Sequence, residues 1–123
     1  MYELSVEVVF SAAHQLRGYK GKCENMHGHN WRVQISVMAE RLNEIDIAID
    51  FHDLKKIAGE IVAPLDHAFL NEVFPFTEKN PSSENVAKWI FDSIKKKINN
   101  GNLRMAAVTV WESDNASASY YED

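Results

Sequence analysis

The sequence has few of the residues that mark several classes of protein. Cys23 is the one cysteine in 123 residues, so an internal disulfide and a cysteine-based structural zinc finger are both excluded. No window approaches the roughly 18 apolar residues of a membrane span. The amino-terminal segment lacks the basic start and long apolar run of a signal peptide. These absences predict a cytoplasmic protein with no membrane partner.

Basic residues are also fewer than acidic ones, 13 against 18. The formal net charge is -5, and phosphate backbones require a basic face, so we expect no nucleic-acid partner. The one basic run, residues 95–97, falls where a predicted helix ends and complements the helix dipole there. A chain of this length with 46% apolar residues is expected to fold as one domain, residues 1–123.

The hydrophobic pattern predicts the order β-β-α-α-β-β. Apolar residues alternate with polar ones in the predicted strands and recur at helical spacing between them. The predicted strands are residues 2–10, 31–40, 103–112 and 116–122, and the helices are residues 50–64 and about 81–99. Two hairpins around a helical pair indicate an α+β fold, with two helices on one face of a four-stranded antiparallel sheet.

Three histidines fall in register with the apolar face of this sheet. His27 and His29 are two residues apart, and His14 shares the parity of the apolar residues of the first strand. Antiparallel pairing brings the end of the first strand beside the start of the second. We therefore predict that the three imidazoles converge and bind Zn²⁺, with a fourth position open for water or substrate. The alternative for each histidine alone is a polar rim residue or a core side chain whose hydrogen bonds are satisfied.

Four other residues are candidates for chemistry. Cys23 lies four residues before His27, and a thiolate there would serve as a proton acceptor, although a lone cysteine is also a common buried apolar residue. Asp66 and His67 form a candidate acid/base pair if a turn brings them together; otherwise they flank a helix. Glu112 continues the apolar face of the third strand, where it would bind an N–H/NH₂ edge of a ligand or simply be solvated.

Several motifs together resemble the 6-pyruvoyl-tetrahydropterin synthase family. They are FSAAHQL, C-x-x-x-H-G-H-N, DFHDLK, LDHAFLN, NPSSENVAKWI and VTVWES, in this order over nearly the whole chain. The resemblance is strongest to the branch that forms 6-carboxy-5,6,7,8-tetrahydropterin in queuosine biosynthesis. It implies the tunnelling fold, in which subunit sheets join into a barrel in a trimer and two trimers commonly form a hexamer.

The resemblance also implies roles for the candidate residues. His14, His27 and His29 would bind zinc. Cys23 would move protons together with the His67 and Asp66 pair, which would reach across a subunit interface, and Glu112 would anchor the aminopyrimidine edge of a pterin. The implied reaction converts 7,8-dihydroneopterin triphosphate to 6-carboxytetrahydropterin, acetaldehyde and triphosphate.

The motif around Cys23 leaves the product open. A related branch has glutamate in E-x-x-H-G-H and releases 6-hydroxymethyl-7,8-dihydropterin for folate synthesis, and this chain has both Cys23 and Glu24. Glu24 is either a second catalytic group or an inert loop residue. The rival classes are a pterin- or purine-binding module without catalysis and a zinc hydrolase.

Overall fold

The computed structural model describes residues 1–19, 25–98 and 100–122. Five strands form one sheet: β1 (Tyr2–His14), β2 (His27–Ala39), β3 (Ala68–Phe69), β4 (Leu103–Ser113) and β5 (Ala116–Tyr120). Their order across the sheet is β3-β1-β2-β4-β5. β1–β2, β2–β4 and β4–β5 pair antiparallel, as the alternating pattern predicts.

The prediction of a four-stranded, wholly antiparallel sheet is wrong in one respect. β3 adds a fifth strand, which pairs parallel with β1 through Ala12–Ala68 and Ala13–Phe69. A strand of two residues is too short to carry an alternating pattern, so sequence periodicity does not reveal it.

Two helices connect the two halves of the sheet. α1 (Phe51–Val62) begins after Asp50, whose side chain accepts a hydrogen bond from the His52 N–H at 2.8 Å. A 3₁₀ turn (Ala63–Leu65) follows α1, and a second (Leu70–Glu72) follows β3. α2 is Ser83–Ile98. Among the residues that the structure describes, no helix is long and apolar enough to cross a membrane.

Both helices pack on one face of the sheet and bury its alternating apolar residues. On β2 these are Trp31, Val33, Ile35 and Val37, all fully buried. Phe10 of β1 stacks on Trp31 with ring centroids 5.6 Å apart. The apolar core stops at the end of the sheet where β1 finishes and β2 starts, and histidines replace apolar residues on the same face there.

Candidate metal centre

The β1–β2 ladder places three histidines on one face. It continues four residues beyond the predicted end of the first strand, through Ala12 opposite His29 to His14 opposite His27. Because alternate residues of a strand share a face, all three imidazoles lie on the side of the sheet that the helices cover. The predicted convergence is therefore present in the structure.

The three imidazoles form a compact cluster. One ring nitrogen of each lies within 4.8 Å of the others. The Nε2 atoms of His14 and His27 are 3.1 Å apart, close to the roughly 3.3 Å between two nitrogens that bind one tetrahedral zinc ion. His14 is fully buried, His29 is half-buried and His27 is exposed. The cluster therefore has a buried floor and an open side.

Hydrogen bonds at the far side of two rings fix their tautomers. The Nδ1 of His14 is 2.7 Å from the carbonyl oxygen of Pro81, and the Nδ1 of His27 is 2.9 Å from that of Asn25. A carbonyl oxygen only accepts, so each Nδ1 carries the proton and each neutral ring presents the lone pair of Nε2 to the cluster. Two lone pairs at 3.1 Å are favourable only with positive charge between them, either a shared proton or a metal ion.

A carboxylate adds to the negative potential of this cluster. The Oε1 of Glu112 is 3.8 Å from the Nε2 of His14, and its Oε2 is 3.8 Å from the Nε2 of His29. These distances are too long for hydrogen bonds but short enough to attract a cation held by the imidazoles. Three imidazoles and a nearby carboxylate are a donor set that fits Zn²⁺.

The position of Glu112 depends on the end of β4 and on α2. The β4–β5 register shifts between Trp111 and Ser113, so Glu112 is the extra residue of a bulge, a feature that re-aims side chains. The Ser83 hydroxyl donates a hydrogen bond of 2.7 Å to its Oε1. The neighbouring Ser82 accepts from the Asn85 N–H at 3.1 Å at the start of α2.

Asp66 and His67 form a pair within one chain. His67 has a left-handed backbone, with φ of 59°, which supplies the turn that adjacent residues need. Its Nδ1 lies 3.2 Å from the Oδ2 of Asp66. The pair is attached to β1, because the Oδ1 of Asp66 accepts from the Ser11 N–H at 2.9 Å and the His67 N–H donates to the Ser11 carbonyl. The Ser11 hydrogen bond, with a smaller contribution from His67, lowers the pKa of Asp66 below its ordinary 3.8.

The pair is not part of the histidine cluster of its own chain. Asp66 contacts Ser11, which lies on the face of β1 opposite to His14, and the His67 side chain is 83% exposed. His67 lines a shallow groove of about 470 Å³ together with Ser11, Asn30 and the cluster residue His29. An exposed imidazole held by a carboxylate is suited to a ligand or to a second subunit.

The remaining candidates, Cys23 and Glu24, lie outside the described residues. The guanidinium of Arg17, three residues after His14, donates to the carbonyls of three residues of the connector before α2: Phe76, Lys79 and Asn71. Arg17 is therefore part of the scaffold.

Fold and site together define a two-layer α+β domain with a three-histidine cluster at one end of its sheet. Comparison with known proteins identifies the family to which this architecture belongs. The chain belongs to the 6-pyruvoyl tetrahydropterin synthase family, whose model matches residues 3–123.

Two relatives and one solved structure show how similar this chain is to known members of the family. The 6-carboxy-5,6,7,8-tetrahydropterin synthase of Synechocystis is 33% identical over 98% of this chain and 94% of the relative. The dihydroneopterin monophosphate aldolase of Pyrococcus furiosus is 32% identical over 84% of this chain and 82% of the relative. The structure of 6-pyruvoyl tetrahydropterin synthase from Caenorhabditis elegans matches with a TM-score of 0.80 and 28% identity, covering 100% of this chain and 98% of that one.

Proposed function

We propose that the protein is a zinc-dependent pterin synthase that converts 7,8-dihydroneopterin triphosphate to 6-carboxy-5,6,7,8-tetrahydropterin, releasing acetaldehyde and triphosphate. The observation that carries the proposal is the donor set of the cluster. The Nε2 atoms of two imidazoles face each other at 3.1 Å, beside a third imidazole and a carboxylate. Relatives named as 6-carboxy-5,6,7,8-tetrahydropterin synthases support the reaction. The family resemblance assigns this reaction to queuosine biosynthesis.

The histidines would bind the metal ion, and Glu112 would bind the pterin. His14, His27 and His29 would hold zinc, which when bound lowers the pKa of coordinated hydroxyl groups and stabilises developing negative charge. Glu112 would accept from the N–H/NH₂ edge of the pterin. Ser83 already donates to its Oε1, and this contact restricts the rotation of the carboxylate. A carboxylate held in one orientation would bind the pterin ring in one position and so orient the side chain of the substrate beside the cluster.

Proton transfer would come from two sides of the substrate. Cys23 lies four residues before His27 along the chain and would act from the β1–β2 loop. The second group would be His67 of a neighbouring subunit, with Asp66 holding the ring and stabilising its charged form. The exposure of the His67 side chain supports a role at another copy's cluster. The proposal therefore requires a homo-oligomer, which we infer to be a hexamer of two trimers.

The carbon count of the reaction sets the products. The three side-chain carbons of the substrate divide into the one carbon of the carboxyl group and the two carbons of acetaldehyde, so one carbon–carbon bond breaks. Release of free triphosphate from the ester consumes one water molecule in the overall balance. Chelator-treated protein should be inactive with 7,8-dihydroneopterin triphosphate, and one equivalent of zinc per chain should restore turnover. Full turnover in the chelated, metal-free protein would contradict zinc dependence.

Mixing two inactive variants tests whether sites are shared between subunits. His27→Ala removes a proposed ligand and His67→Ala removes the proposed acid/base group. If each site takes these residues from different chains, dissociating and reassembling an equal mixture should restore about one quarter of the sites. Each variant treated alone is the matched control. A mixture no more active than the separate variants would place both residues in one subunit's site.

A second product is favoured by one feature of the sequence. The chain carries both Cys23 and Glu24, in the form C-E-x-x-H-G-H. The similarity to a dihydroneopterin monophosphate aldolase points in the same direction. The second candidate function is therefore formation of 6-hydroxymethyl-7,8-dihydropterin for folate synthesis, alone or beside the carboxy product.

A further inference from the structure

Two asparagine side chains continue the pairing of β1 after its last residue. Asn71 accepts from the Gln15 N–H at 2.9 Å and donates to the Gln15 carbonyl at 2.8 Å. Asn80 makes the same two hydrogen bonds with Arg17, at 2.8 and 2.9 Å. Each side-chain amide thus makes the two backbone hydrogen bonds that a residue of a neighbouring strand would make. Together they attach the connector before α2 to the segment that follows the first histidine of the cluster.

The second asparagine stands directly before the group that orients His14. Pro81 is buried, and its carbonyl accepts the Nδ1–H of His14 at 2.7 Å. The neighbouring Asn80 carbonyl also accepts from the Asn85 side chain of α2 at 2.8 Å. The Pro81 carbonyl is therefore held between β1, through the Asn80 amide, and the first turn of α2.

We propose that Asn80 is a positioning residue for the metal centre, because its side chain sets the Pro81 carbonyl that keeps the Nε2 of His14 free of a proton. The inference deepens the proposed function, since it rests on zinc binding at the histidine cluster. Partners that fix the orientation and tautomer of a ligating histidine contribute about 10- to 100-fold to metal affinity. Asn80 acts through Pro81 and His14 and touches neither metal nor substrate.

Asn71 provides a matched control for this role. It makes the same pair of hydrogen bonds at nearly the same distances and is also half-buried. Its loss removes two hydrogen bonds of the Gln15 backbone, while the backbone of His14 stays in the ladder opposite His27 and the Pro81 carbonyl keeps both of its supports. The two asparagines are therefore expected to match in their effect on folding and to differ in their effect on metal binding.

The experiment measures zinc affinity and histidine tautomer in the full-length protein. Zinc alone is titrated against a chromophoric chelator for wild type, Asn80→Ala and Asn71→Ala, and the unfolding midpoint of each metal-free protein is recorded. We expect the zinc dissociation constant to rise about 10-fold or more for Asn80→Ala and less than about 3-fold for Asn71→Ala. In ¹⁵N-histidine spectra, the Nδ1–H form of His14 should lose population only in Asn80→Ala.

A third variant covers the case in which Asn80→Ala does not fold. Asn80→Asp keeps the acceptor for the Arg17 N–H and loses the donor, so its zinc affinity should fall by less than that of Asn80→Ala, but measurably. Wild-type affinity in the folded Asn80 variants, or equal losses in Asn80→Ala and Asn71→Ala, would overturn the inference and leave the proposed function standing. A wild-type protein that binds no zinc would overturn both.

Discussion

Alanine at His14 and at His27 should separate the structural role of the histidine cluster from its metal-binding role. The His14 ring is fully buried, packs edge-on against Trp31 with centroids 4.8 Å apart, and donates to the Pro81 carbonyl. His27 is exposed at the open side of the same cluster. Both are proposed ligands, so both variants should lose zinc, but their costs to the metal-free fold should differ.

The size of the difference follows from burial. His14→Ala leaves the Pro81 carbonyl without its donor, at about 1–3 kcal/mol, and opens a cavity beside Trp31, for a total of about 2–4 kcal/mol. His27→Ala removes an exposed ring and should cost less than about 0.5 kcal/mol in the absence of metal. Zinc at 100 times its dissociation constant should stabilise the wild type by about 2.7 kcal/mol and neither variant.

Urea denaturation at one protein concentration, with chelator and then with excess zinc, measures both quantities. The predicted order of metal-free stability is wild type and His27→Ala together, with His14→Ala well below them. Equal costs for the two variants in chelator would contradict the burial argument. A zinc-dependent gain in His27→Ala as large as in wild type would show that His27 is not a ligand.

Three further predictions concern the substrate and the acid/base groups. Glu112→Gln should lower kcat/KM about 10- to 100-fold while zinc stays at one ion per chain, because it loses a charge-assisted hydrogen bond to the pterin; loss of zinc would instead make Glu112 a ligand. Cys23→Ala should abolish the carboxy product with zinc content intact, and Glu24→Gln should change the product ratio only if Glu24 is catalytic; a fully active Cys23→Ala would refute the role of that residue. Because the pKa of Asp66 is lowered in the folded protein, its hydrogen bond with Ser11 stabilises the fold above pH 3.8, and this contribution is lost as the pH falls through the lowered pKa. Acid titration of Asp66→Ala should therefore show a stability deficit above pH 3.8 that disappears at lower pH, and a deficit constant over the whole range would contradict this.

Much of the fold and the convergence of the histidines could be predicted because β-strand parity is a local signal. A period of two assigns His14, His27 and His29 to one face, and antiparallel pairing brings them to one end of the sheet. The same parity argument placed Glu112 on the face of Val108 and Val110, and the structure brings its carboxylate to the cluster.

Parity fails where a bulge inserts a residue. On β4 the buried positions are Leu103 and Met105, then Val108 and Val110, because the register with β2 shifts between Ser36 and Val37 and leaves Ala106 as an extra residue. A bulge depends on the pairing of two strands and therefore has no one-strand signature. Leu103 and Met105 therefore share a face with Val108 and Val110, although they differ from them in odd–even parity.

Contacts between segments far apart in the chain also could not be predicted from the sequence. The Ser83 hydroxyl donates to Glu112, 29 residues away, and the Pro81 carbonyl orients His14, 67 residues away. The left-handed φ of His67 and the attachment of Asp66 to Ser11 likewise depend on tertiary packing. The one local hint was the run NPSSEN, whose polar side chains exceed what a helix cap requires.

The most direct test of the proposed function is the identity of the pterin that the zinc-loaded protein makes. The protein is incubated with 7,8-dihydroneopterin triphosphate, and the products are identified by mass, with acetaldehyde measured in parallel. We expect 6-carboxy-5,6,7,8-tetrahydropterin and one equivalent of acetaldehyde, both lost with chelator. A reaction yielding 6-hydroxymethyl-7,8-dihydropterin alone would establish the second candidate, and no turnover by zinc-loaded protein would contradict the proposed function.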